Sequence, residues 1–238
     1  MSIAFFDVDG TLLPYPSLER RFFWRLARKA RIPAANYLRF LLAAASPRVF
    51  RESAHSNKAY LRGLAGSVLA ETAVELPEFF PSALQCVCWH ALRGHAVVLV
   101  TGTPAPLAAL VKGALERELR WRGVRSEVCV LATELETAGG RWTGRVAGPP
   151  MFGAEKGRAV GRFATSRGLP LSSASAYGDH VLDRWMLAAV GKPCAVNPSA
   201  ALANLARLRG WRTVAWDRRF ETASGARDAM ACKDERAR

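Results

Sequence analysis

Apolar residues fall into two rhythms along this chain. Short runs rich in strand-forming residues occur at Ile3–Phe6, Ala96–Val100, Glu127–Ala132, Ser173–Tyr177, Cys194–Val196 and Thr213–Trp216. Each is too short for a helix, and the continuous β-branched run at 96–100 has the pattern of a parallel strand buried on both faces. Helical spacing fills the intervals: Ser17–Arg31 with Ser17 as N-cap and Glu19 in its first turn, Ala34–Ala45, Val49–Leu64, Gly66–Leu76, Pro81–Leu92, Ala105–Trp121, Glu155–Arg167, a stretch ending at Val190, and Ala200–Arg209. Gly139-Gly140 between β-rich flanks predicts a hairpin. From Ala96 onward strand and helix alternate, which predicts an α/β fold with a doubly wound, mostly parallel sheet. Between the first strand and Ala96 only helices are predicted, so that stretch reads as an inserted helical cap. The expected organisation is a core at 1–13 and 92–217, a cap at 14–91 and a flexible tail at 218–238.

The strand ends carry the chemistry. The first delivers Asp7-Val8-Asp9-Gly10, and strand alternation sends Asp7 and Asp9 to one side with Val8 away. Taken alone this is an Asp-Gly turn of a kind common in soluble proteins. The second strand ends in Thr101-Gly102, and Ser173–Tyr177 runs into Gly178-Asp179-His180-Val181-Leu182-Asp183. Lys156 stands in a first helical turn, where the dipole disfavours a cation, so its position calls for a nearby anion or full exposure. In open α/β sheets ligands bind at the carboxyl edge where such groups converge. A carboxylate can attack phosphorus while its neighbour moves the proton, and paired carboxylates are hard oxygen ligands for magnesium.

In order and spacing, DVDGTLL, VVLVTGT, Lys156, the hairpin ending TGRV and the helix ending AVGKPCAVNP resemble the haloacid dehalogenase superfamily. They resemble in particular its subfamily IB, which includes phosphoserine-phosphatase-like enzymes, over Ile3 to about Trp216. The resemblance implies a Rossmann-like core and a phosphatase working through an aspartyl phosphate. Asp7 would be the nucleophile and Asp9 the general acid, then base. Thr101, with Gly102 beside it, would meet the phosphoryl oxygens, and Lys156 would neutralise charge. Mg2+ would be held by Asp7, Asp9 through its backbone carbonyl, and Asp179, with Asp183 acting through water or orienting Lys156. Relatives carry a Lys-x-Tyr-Leu-Arg-Gly run in the cap, which implies substrate contacts for Lys58, Tyr60 and Arg62; on a helix Lys58 and Arg62 would share a face. Two departures stand out. His180 occupies a position where relatives have Ser or Gly, and it is expected to point aside. The glutamate that phosphoserine phosphatases place soon after the acidic motif is missing; Glu19, the first acid, is explained by the helix dipole.

Composition narrows the setting. Half of the 238 residues are hydrophobic, enough for a sizeable core. No apolar run approaches the roughly 20 residues needed to cross a bilayer, and Met1-Ser2 leads directly into a strand, so a cytoplasmic location is expected. Cys86, Cys88, Cys129, Cys194 and Cys232 lack paired spacing and are expected to be reduced. On a helix Cys88 would point away from Cys86 and His90, which argues against a metal site there. Net charge is +14, and 14–63 holds eleven Lys or Arg against Glu19 and Glu52. That bias favours an anionic partner: a phosphorylated small molecule, a lipid-linked phosphate, or an anionic membrane surface touched peripherally. Tyr37 to Leu42 is available to acyl chains, and the resembled subfamily includes a phosphatase of phosphatidylglycerophosphate. A phosphate on a lipid or other bulky group is therefore preferred to phosphoserine or histidinol phosphate. Phosphotransfer to an alcohol is the competing reaction. Specific nucleic-acid binding is not expected, because Phe22, Phe23, Trp24, Tyr37 and Phe40 read as cap core rather than exposed stacking platforms. Oligomeric state is left open.

Overall fold

The computed structural model describes residues 2–45, 57–72 and 74–216. Six strands form one parallel sheet: β1 (Ile3–Phe6), β2 (Ala96–Pro104), β3 (Val128–Thr133), β6 (Ser175–Gly178), β7 (Lys192–Val196) and β8 (Arg212–Val214). Their spatial order is β3-β2-β1-β6-β7-β8, while β4 (Leu135–Ala138) and β5 (Arg141–Val146) make a separate antiparallel hairpin. Alternation along β1 and β2 divides the apolar residues between two cores. Ala4, Phe6, Val97 and Leu99 face α1 (Leu18–Arg28), α4 (Pro81–Leu92) and α5 (Ala105–Trp121). Ile3, Phe5, Val98 and Val100 face α6 (Ala154–Ser166), α7 (Arg184–Ala189) and α8 (Ala200–Arg209). Helices on both faces of a parallel sheet are the doubly wound arrangement expected from the alternation.

Between β1 and β2 lie α1, α2 (Ala34–Ala45), a 3-10 turn at Ala59–Leu61, α3 (Val68–Thr72) and α4. Residues 49–56 of the predicted 49–64 helix fall outside the described residues, as do the predicted tail and Cys232. The rest of that segment is not α-helical. The Gly63 N–H bonds Trp142 O at 2.8 Å and the Trp142 N–H bonds Leu64 O at 2.9 Å, so this backbone pairs with β5 instead of closing helical turns. Lys58 and Arg62 flank the 3-10 turn and do not form the predicted i,i+4 face. Among the described residues the predicted 66–76 helix is helical only from Val68 to Thr72; Pro77 disfavours helix in the residue before it.

The aromatic residues of this region divide as helix geometry requires. Leu18, Phe22 and Leu26 recur every fourth residue and are buried, whereas Trp24, on the other side of α1, is 51% exposed and is not the core residue expected. On α2, Tyr37 and Phe40 pack against the core, and Leu38, Leu41 and Leu42 are 59%, 63% and 63% exposed. Among the described residues no helix is long and apolar enough to cross a membrane.

Candidate active site

The sheet's switch point sets the position of the site. β1 lies between β2 and β6, and the chain leaves it toward β2 and β3 on one side before returning to β6 on the other. The connections diverge there and leave a crevice at the carboxyl ends of the strands. A cavity of about 310 Å³ occupies it, lined among others by Asp7, Asp9, Thr101, Gly102, Lys156 and Asp179. Asp183 lines it too.

Asp7 is fixed by the last rung of the sheet, its N–H bonding Tyr177 O at 2.9 Å. Gly10 then turns with φ +90°, and a side chain there would meet Asp179 Oδ2 at 2.3 Å, so the loop after β1 and the loop after β6 close on each other only because position 10 is glycine. Gly102 is equally constrained: a Cβ there would collide with the Phe152 ring at 1.9 Å.

Lys156, in the first turn of α6, meets the anions its position called for. It is 3% exposed, and its Nζ lies 2.5 Å from Asp7 Oδ1 and 2.6 Å from Asp183 Oδ1. Burial works to lower its pKa, but Asp183 and Asp7 outweigh that and raise it, so the ammonium is firmly charged. Asp7, Asp179 and Asp183 offer carboxylate oxygens that all lie within 4.8 Å of one another. Burial raises Asp7 well above the usual carboxylate range; Lys156 pulls it down, and Asp183 and Asp179 push it up further. Asp179 is pushed up to about 7 by burial and then by Asp183. One lysine does not balance three buried acids, and a hard divalent cation fits this all-carboxylate donor set. The Asp9 side chain lies apart from that group. Its Oδ1 accepts the Leu18 N–H at 2.7 Å and its Oδ2 accepts the Thr103 hydroxyl at 2.8 Å. Burial raises its pKa against the pull of those two bonds.

Thr101 is 1% exposed, and its Oγ1 accepts the Thr103 N–H at 3.1 Å, leaving its own hydroxyl proton free for the cavity. His180 lines the same cavity. Its Nδ1 accepts the Leu182 N–H at 3.3 Å, and the His180 backbone N–H donates to Asp183 Oδ2 at 3.0 Å. The imidazole thus caps the 3-10 turn at Val181–Asp183.

The three cap residues do not enter this cavity. Lys58 and Tyr60 line a second one next to it, and Arg62 is exposed and lines neither. Lys58 Nζ grips both oxygens of Glu19 at 2.6 and 2.7 Å, and Tyr60 Oη donates to Glu19 Oε1 at 2.9 Å. Glu19 is therefore committed to partners far along the chain, not only to the helix dipole, and it borders both cavities. Sequence reasoning also missed Thr103 and Tyr15. Thr103 carried a signal, since alternation puts it on the same side as Thr101. Tyr15, whose hydroxyl donates to Asp179 Oδ2 at 2.9 Å, carried none, because the contact spans two loops 164 residues apart.

A family model of haloacid dehalogenase-like hydrolases matches residues 4–188. The phosphoserine phosphatase SerB1 of Mycobacterium tuberculosis is 32% identical over 222 residues, covering 87% of this chain and 68% of that one. A solved protein of unknown function from Bordetella pertussis superposes with a TM-score of 0.69 at 29% identity, over 90% of this chain and 97% of its own. A phospho-aspartyl intermediate analogue of phosphoserine phosphatase superposes at 0.56 and 18% identity, over 85% and 90% of the two chains, a likeness of fold alone. With a family model spanning Asp7, Thr101, Lys156 and Asp179, this chain belongs to the haloacid dehalogenase-like hydrolases, and it is a phosphatase of that family.

Proposed function

We propose that the protein hydrolyses phosphate monoesters in two steps through a phosphoryl group carried on Asp7, with magnesium bound beside it. The observation that carries this reading is the Asp7 carboxylate touched by buried Lys156, with Asp9 held two residues away by separate donors. Asp7 Oδ attacks phosphorus, and the ester oxygen leaves with a proton from Asp9. Water then attacks the acyl phosphate as the Asp9 carboxylate takes a proton from it, breaking the bond to Asp7 Oδ, releasing phosphate and restoring both acids. Lys156 offsets charge on Asp7 and on the phosphoryl oxygens, and the Thr101 hydroxyl with the Gly102 backbone donates to those oxygens. A magnesium ion held by Asp7, Asp179 and the backbone carbonyl of Asp9 would neutralise the substrate dianion. Asp183 in this reading orients Lys156, which its 2.6 Å contact supports. The segment 14–91 acts as the cap that meets the alcohol side of the substrate. Phosphate release from a generic aryl phosphate tests the scheme: turnover should require magnesium, stop with chelator and be lost in Asp7→Asn. Wild-type turnover by that variant would overturn it.

A further inference from the structure

The second cavity, of about 340 Å³, shares Ser17 and Glu19 with the catalytic one, so the two are neighbours across the start of α1. Its walls are rings: Phe23, Trp24, Phe40 and Tyr60. Phe23 and Tyr60 meet edge to face at 5.3 Å, as do Phe40 and Tyr60 at 5.8 Å, and the Phe23 and Phe40 rings tilt against each other at 5.7 Å, which fixes the wall as one packed unit. The polar groups on its floor are satisfied internally. Lys58 is 3% exposed with both its short contacts on Glu19, and Tyr60 donates to the same carboxylate. Asn57 donates to Phe40 O at 3.0 Å and accepts the Ala59 N–H at 3.2 Å. Arg20 is at the solvent-exposed rim.

Resting on the phosphatase reading, we propose that this aromatic cavity is the leaving-group subsite and that the physiological substrate is a phosphate monoester of an alcohol with an apolar body. A phosphoryl group at Asp7 directs its ester oxygen toward the opening bordered by Ser17 and Glu19, and the carbon skeleton continues along the rings. A zwitterionic alcohol such as serine needs an acid for its ammonium group and a cation for its carboxylate. Here the acid and the buried cation neutralise each other, and separating them would leave Lys58, 3% exposed, without its partner. An apolar body needs no such rearrangement and gains by leaving water.

The test is kcat/KM of the magnesium-loaded full chain on ethyl, butyl and hexyl phosphate, 2-naphthyl phosphate and phosphoserine. Each added methylene should raise kcat/KM by about two- to fourfold over the first few carbons. Phosphoserine should fall below hexyl phosphate by at least about tenfold, the cost of leaving buried polar groups unpaired. The alkyl and naphthyl arms distinguish a chain-like body from a ring. Trp24→Ala, at a half-exposed position, and Phe40→Ala should each lower the hexyl-to-ethyl ratio toward one; the ratio is internal to each variant and reads only folded enzyme. A wild-type ratio near one with ethyl phosphate still turned over would overturn the subsite and leave the phosphatase reading standing. So would phosphoserine as the best substrate. Absence of turnover on every ester would remove the phosphatase reading and the subsite with it.

Discussion

Two buried lysines, each gripping carboxylates at hydrogen-bond distance, do opposite things in this molecule. The side chains of Lys58 and Lys156 are both 4% exposed. Lys58 has one acid, Glu19, and the pair closes on itself as a clasp between α1 and the 3-10 turn. Lys156 meets Asp7 and Asp183, with Asp179 beside them, so its cluster keeps an excess of negative charge. That excess is visible in the acids, with Asp7 raised by burial and Asp179 pushed up to about 7. A buried ion pair by itself says little about activity, since desolvation offsets much of its attraction. What singles out the Lys156 cluster is negative charge left over for a cation.

The largest effect should come from Asp7→Asn. An amide does not attack phosphorus, so turnover should fall by at least about 10³-fold. Removing one of three mutually repelling acids should leave the metal-free melting temperature unchanged or higher. Steady-state rates and thermal melts on the same preparation check both halves. A destabilised variant would mean that Asp7 holds the fold together, as Glu19 does.

Lys156→Met should lower turnover by about 10²- to 10³-fold, the scale of losing one preorganised charge donor. The acids then face each other without their cation, so the metal-free variant should melt below the parent and gain more from magnesium. Equal magnesium-induced shifts in the two proteins would contradict the charge-excess account.

The cluster around Lys156 was legible in the sequence as a set of groups meeting at one sheet edge, because each member sits at a strand end or helix start that periodicity locates. Asp7 and Asp9 end β1, Thr101 lies near the end of β2, Asp179 follows β6, and Lys156 opens α6. The Glu19–Lys58 clasp was not. Its partners are 39 residues apart, and nothing local distinguishes a glutamate that supports a helix dipole from one that also crosses to a buried lysine. The region between β1 and β2 was less legible for the same reason. Backbone from Gly63 to Leu64 pairs with β5, a long-range contact that overrode a local helical pattern. Trp24 was misjudged by hydrophobicity alone, although its offset from Leu18, Phe22 and Leu26 already put it outward.

Magnesium binding should strengthen as pH rises toward 7. Asp179 has to lose its proton to bind a cation, and its folded value of about 7 lies above the ordinary 3.8. Each pH unit below that value should weaken binding by up to about tenfold. The raised value means that this group's contribution to metal-free stability is full below the ordinary value and is lost as pH climbs to about 7. His90 runs the other way. Its Nε2 bonds Tyr177 Oη at 2.9 Å, and burial, then His95, lowers its pKa to about 3. Its contribution is present above the ordinary 6.5 and is lost as pH falls toward that lowered value. The two slopes oppose each other below the ordinary imidazole value of 6.5, so a bare melting curve isolates neither. The increment added by magnesium at each pH isolates the carboxylates. An increment that does not grow over this range would show that Asp179 is already ionised without metal.

The smallest effect separates the two lysines most cleanly. Lys58→Met leaves Glu19 with the Tyr60 hydroxyl and some water, since its side chain is 22% exposed. The loss of stability should be about 1–2 kcal/mol, below that for a fully buried orphan charge. Adding Glu19→Gln removes that orphan, and an amide can still accept the Tyr60 proton, so the double variant should recover most of the loss. No single neutralisation should do the same for Lys156→Met, because two further acids remain around the vacated ammonium. A double-mutant cycle by chemical denaturation at pH 7 reads this directly. If Glu19→Gln fails to restore the Lys58→Met protein, the clasp is not a closed pair and the neutral floor of the aromatic cavity is lost with it.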